Sequence, residues 1–284
     1  MSERSGLKGI RKGLWTAGYI LGPAVQYFAL MIFVEIVLSV LLVLLQRLDA
    51  FYSVYELLSA NESVLAMICI SLPAFLIFYG MSRRDHYGYI TDFGGRKRLP
   101  AAGSLIACAC CMAIGLNVII LMTPLLELFP GFAMSNAELH TGMAWLVSIY
   151  SVLIAPVTEE ALFRGVIYRR ARKVFGVAPA ILLSAFVFGL FHGNMVQFIY
   201  AFLIGLVLAF ICERYGTLTA PMLFHIAANA GTVGAAPILG SPAPLPIAIT
   251  ILLAGCLFLW RIGRRVETPA CRPVRPEPEI GETE

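Results

Sequence analysis

Eight long apolar runs constrain this chain more than any other feature. They extend approximately over 19–45, 64–81, 101–125, 143–168, 177–191, 195–212, 218–238 and 244–260. A helix crossing the hydrocarbon core of a bilayer takes roughly 20 apolar residues. The runs therefore predict an all-α fold, a polytopic membrane helix bundle of about eight transmembrane helices. Composition agrees: 59% of residues are hydrophobic, 13% are charged, and mean hydropathy is +0.83. A soluble domain has about 45–50% apolar and about 25% charged residues.

The charges between the runs predict orientation, because cytoplasmic loops collect Lys and Arg. Arg4, Lys8, Arg11 and Lys12 precede the first run; Arg83, Arg84, Arg96, Lys97 and Arg98 follow the second. Arg169, Arg170, Arg172 and Lys173 follow the fourth, and Arg261, Arg264 and Arg265 the eighth. The intervening loops hold Arg47 alone in the first and neither Lys nor Arg near Glu138, Asn194 or Ser241. Both termini are thus expected in the cytoplasm. The first run is too long for a signal-peptide core and lacks a cleavage site, so it reads as a retained span. The expected organisation is a cytoplasmic segment over 1–18, a membrane domain over 19–260 and a Pro- and Glu-rich disordered tail over 261–284.

The net charge of +4 marks loops rather than a nucleic-acid surface. Cys108, Cys110 and Cys111 lie together in one apolar run without zinc-ligand spacing, and the seven cysteines suggest no disulfide framework.

Ionisable side chains inside a bilayer are expensive and point to function. All three aspartates (Asp49, Asp85, Asp92) and two histidines, His86 and His140, fall in loops. Glu35, Glu159, Glu160, Arg164, His192 and His225 fall within apolar runs or at their ends. Glu160 and Arg164 are four residues apart and share a helix face, whereas Glu159 points about 100° away. Pro156 weakens the helix just before them. A salt bridge on a juxtamembrane helix is the bland reading of that segment. His225 and Asn229 also share a face, and an interhelical hydrogen-bonding pair worth about 1 kcal/mol would account for them singly. Together, the three consecutive polar clusters point to one hydrated site in the catalytic region 143–235. A simple hairpin count puts Glu159 and His192 toward opposite membrane faces. One of their helices is therefore expected to be short, tilted or broken, near Pro156 or the His192–Gly193–Asn194 turn. Glu35 either lines the same cavity, pairs with Asn117 or another polar group, or sits near an interface.

A carboxylate and an imidazole together can deprotonate water and later protonate a leaving amine. A second imidazole and an amide can stabilise an oxyanion. The chain has no His-Glu-x-x-His, no aspartate in a span and no Gly-x-Ser-Gly, which argues against zinc, paired-aspartate and rhomboid-like serine proteases.

Glu159-Glu160-x-x-x-Arg164, Phe188-x-x-x-His192 and His225-x-x-x-Asn229 occur in this order, each in its own apolar run. This three-part pattern resembles the CAAX-protease and bacteriocin-processing family of membrane endopeptidases, over residues 143–235. The resemblance implies a bundle of eight helices with an internal cavity and a metal-independent site without a cofactor. It implies water activation by Glu159 with His192, an oxyanion site at His225 and Asn229, and support from Glu160, Arg164 and Phe188. Two His and two Glu are also a conceivable zinc-ligand set. The implied partner is a membrane-associated peptide or protein, with a prenylated substrate following from the resemblance alone, and the implied location is a prokaryotic inner membrane. Two other functions compete. One is a non-catalytic scaffold or immunity protein. The other is a transporter using Glu35, Glu159 and Glu160 as an ion path, to which short loops and the lack of an inverted repeat lend little support.

Overall fold

The computed structural model describes residues 2–85, 99–131, 142–239 and 245–265. The loops expected around Arg96–Arg98, Glu138 and Ser241, the loop histidines His86 and His140, and the tail beyond Arg265 lie outside them. Among the described residues there is no strand. The main helices, besides the short turns Asp49–Phe51 and Leu125–Leu128, are α1 (Ser2–Gln46), α2 (Tyr52–Ser59), α3 (Glu62–Arg84), α4 (Leu99–Leu121), α5 (Ala144–Phe175), α6 (Val177–Leu190), α7 (Met195–Tyr215), α8 (Thr219–Leu239) and α9 (Leu245–Arg265).

Each of the eight apolar runs lies on a helix, and the chain is an all-α membrane bundle. Five helices are long and apolar enough to cross a membrane: α3, α5, α7, residues 11–46 of α1 and 102–121 of α4. Two others, α6 and residues 246–261 of α9, are shorter and apolar. Helix α1 continues back to Ser2, and α9 continues to Arg265, past the point where a disordered tail was expected to begin. The outer face of α1 exposes Phe33, Ile36 and Val40 at 63%, 58% and 55%. Such a stripe is tolerable against lipid and not against water.

Helices in lipid gain little from burying apolar surface, so they associate through close packing at small residues. Gly115 lets α4 approach α9: a Cβ there would meet Leu252 Cβ at 3.0 Å. Gly231 plays the same part between α8 and Cys110 of α4. Gly205 joins α7 to α6, where a Cβ would meet Ala185 Cα and Phe188 Cδ1, each at 3.1 Å. Gly205→Val should therefore destabilise the bundle by about 1–3 kcal/mol through overpacking. The check is the denaturation midpoint in detergent micelles.

Helix α5 departs from α geometry twice. It widens to π geometry at Tyr150–Ile154 and again at Phe163–Tyr168. The first widening follows from Pro156. The Ala155 N–H bonds back to Tyr150 O, five residues earlier. In that register Ser151 O would look to residue 156, but proline has no N–H. Asn229 of α8 supplies the missing donor, its Nδ2 lying 2.7 Å from Ser151 O. In the second widening, Ser184 Oγ of α6 donates to Phe163 O and Ser82 Oγ of α3 donates to Gly165 O, both at 3.0 Å. Hydrocarbon offers no partner to a backbone carbonyl. These three side chains thus hold an irregular helix in the middle of the bundle and fix its rotation.

Candidate active site

Arg164 is fully buried, and so is Glu160, one turn before it. The Arg164 Nη1–Glu160 Oε1 contact is 2.8 Å, as the four-residue spacing predicts. Arg164 Nη2 donates to Gly205 O at 3.0 Å, and the guanidinium lies 4.5 Å from the centre of the Phe188 ring. Charge, backbone dipole and ring face share the task of holding a cation away from water.

Phe188 in turn orders two histidines. His192 and His225 stand edge-on to its ring, with centroids 5.0 and 5.6 Å away. His192 Nδ1 lies 3.0 Å from Phe188 O. A carbonyl only accepts, so Nδ1 carries the hydrogen, and Nε2 of the neutral ring is left bare. His225 Nδ1 lies 3.0 Å from Glu160 Oε1, and its Nε2 is 3.7 Å from Glu159 Oε2. The Glu160 carboxylate, already paired with Arg164, also only accepts, so His225 Nδ1 donates to it. The second imidazole nitrogen then faces another carboxylate.

Glu159, His192, His225 and Asn229 all line one cavity of about 780 Å³ between α1, α3, α4, α5, α6, α7 and α8. The two faces that the hairpin count kept apart meet because α6 has 14 residues, about 21 Å of helix. It ends at Leu190, so the following turn brings His192 into the bundle. Glu159 is partly accessible, at 22% of its side chain, while Glu160 is sealed. The neighbouring glutamates thus occupy different surroundings. Glu160 contacts Arg164 and His225, and Glu159 faces the cavity.

Asn229 shares the cavity, with one N–H committed to Ser151 O and one remaining. Removing the amide with Asn229→Ala should cost about 1–3 kcal/mol of stability, because a buried carbonyl loses its partner. Thermal unfolding in micelles would register it. Asn117 belongs to a separate contact: its Nδ2 donates to Thr232 Oγ1 at 3.2 Å and to Ala113 O at 2.8 Å. It does not pair with Glu35, which lines the cavity from α1. No group of three or more His, Cys, Asp or Glu side chains is disposed to hold a metal ion among the described residues.

Sequence reasoning missed four contributors. Ser82 and Ser184 are ordinary small residues until the π geometry frees carbonyls for them. Tyr27 and Tyr150 also line the cavity, but aromatic residues in apolar runs carry no distinguishing signal.

Comparison with known proteins matches residues 141–231 to the family described as type II CAAX prenyl endopeptidase Rce1-like. No curated protein and no solved structure matches the chain. The matched stretch begins just before α5 and ends within α8, so it contains Glu159, Glu160, Arg164, Phe188, His192, His225 and Asn229.

Proposed function

We propose that this chain, whose residues 141–231 match the type II CAAX prenyl endopeptidase Rce1-like family, is a glutamate-dependent intramembrane endopeptidase acting on a membrane-associated peptide or protein. The observation that carries this reading is the unequal setting of the two histidines beside one accessible carboxylate. His192 offers a bare Nε2, and His225 offers an Nε2–H when Glu160 and Glu159 flank its protonated ring.

The division of labour follows from those atoms. Water held between Glu159 and His192 Nε2 loses a proton as its oxygen attacks the peptide carbonyl. The oxyanion that forms accepts hydrogen bonds from His225 Nε2–H and from the remaining N–H of Asn229. The proton then passes to the leaving amine, the C–N bond breaks, and the carboxylate is restored. No covalent enzyme intermediate is formed. Glu160 and Arg164 position His225, and Phe188 spaces the two rings. These residues supply general acid–base and electrostatic catalysis. A substrate of the CAAX type, with a lipidated terminus lying in the membrane, follows from the family and suits a cavity walled largely by apolar helices.

The test compares peptide termini in native membranes from cells carrying the wild type, Glu159→Gln or His192→Ala at matched expression. New termini present with the wild type alone support proteolysis and name its substrates. Identical termini in all three, with the biological phenotype intact in both variants, would replace this reading with a non-catalytic scaffold.

A further inference from the structure

The cavity carries a second carboxylate that the chemistry above does not use. Glu35 lies on α1, outside the matched stretch, within a segment of high hydropathy. Tyr27, Met31 and Glu35 recur every fourth residue and line the cavity from one face of α1. Tyr27 marks the catalytic end, since its ring stacks at 5.8 Å on Phe191, the neighbour of His192. Glu35 is eight residues further along the same helix, a rise of about 12 Å.

The carboxylate is accessible and makes no hydrogen bond or ion pair with any described residue. A lone carboxylate in a membrane segment is costly and is normally retained for a partner. No Lys or Arg lines the cavity among the described residues. Arg164 is sealed against Glu160 and Phe188. Among the described residues the cavity therefore presents two carboxylates, Glu159 and Glu35, and no Lys or Arg opposite the second. Its complement is a positively charged group on the guest.

Resting on the endopeptidase reading, we propose that Glu35 forms a subsite for a cationic group of the substrate, a Lys or Arg side chain or a free amine, at a fixed distance from the bond cut. An extended peptide advances about 3.3 Å per residue, so about 12 Å places that group about four residues from the scissile bond. Glu35 is a specificity residue and takes no part in proton transfer.

The test uses the full chain in phosphatidylcholine nanodiscs, with two dansylated, lipid-anchored peptides that differ by Lys or Gln at the fourth position from a fixed central bond. Binding is read by fluorescence and cleavage by mass spectrometry. The wild type should bind the Lys peptide about tenfold more tightly than the Gln peptide. In Glu35→Gln that ratio should fall to near one, and in Glu35→Lys a matched Glu peptide should become the preferred guest. Equal binding of the Lys and Gln peptides by the wild type, or a preference unchanged in both Glu35 variants, would overturn the subsite. A Glu35-dependent preference in binding without any cleavage would instead count against the endopeptidase reading and leave the cationic subsite standing.

Discussion

Glu159→Gln is expected to lower turnover of a membrane peptide by about 10²–10⁴-fold, the usual contribution of a positioned general base. The amide is nearly the same size, so the cavity wall is preserved, but it no longer accepts a proton from water. Stability should change little, because Glu159 makes no contact with Arg164 and is partly open to the cavity. His192→Ala should produce a loss of similar order, since it removes the bare nitrogen that shares the water. The double variant should be scarcely worse than either single one, as groups acting on one proton are strongly non-additive. Single-turnover kinetics with purified protein in bilayers would measure all three.

The second large effect falls on stability. Arg164→Met leaves Glu160 buried without its counter-ion and should destabilise the bundle by about 3–5 kcal/mol. It also removes the donor to Gly205 O and the cation above Phe188. Replacing both partners, with Glu160→Leu added, removes the stranded charge and should recover much of that stability. Activity should not return, because His225 Nδ1 then loses the carboxylate that holds its hydrogen and its orientation. Denaturant titration in micelles and cleavage by the same preparations would separate the two roles. Recovery of cleavage together with stability would mean that Glu160 acts as ballast for Arg164 and not as a positioner of His225.

The sequence makes the helices legible because hydropathy reports the solvent that a segment requires. It makes the Glu160–Arg164 pair legible because both residues are on one helix, where a four-residue spacing decides which side chains meet. The short helix α2 escapes notice: Tyr52–Ser59 lies between spans and is not long enough to register as a membrane segment. The seating of His225 against Glu160 and Glu159 is equally hidden, because it depends on how α8 is rotated against α5. That rotation is set by Asn229 reaching Ser151 O, which in turn depends on the π turn ahead of Pro156. Pro156 could be recognised as a weak point in the helix. Which carbonyl it would orphan, and which residue would answer, emerges only when the helices are assembled.

The same chain of causes explains why the apparent separation of Glu159 and His192 disappears. Length counted in whole membrane spans assigns them to opposite faces, but α6 is shorter than a span and α5 is widened twice. Both departures bring polar groups inward, and the widened turns of α5 are secured by side-chain hydrogen bonds from α3, α6 and α8. Irregular backbone is tolerated at membrane depth where it is buried in protein and lines a cavity.

The central claim is that Glu159 directs water onto a peptide bond inside the bundle. Its most direct test is cleavage of membrane peptides by the purified protein in bilayers made up in ¹⁸O-labelled water, with the wild type and Glu159→Gln side by side. The account predicts new C-terminal carboxylates carrying the label with the wild type and almost none with the variant. Labelled termini formed equally by both proteins would contradict it.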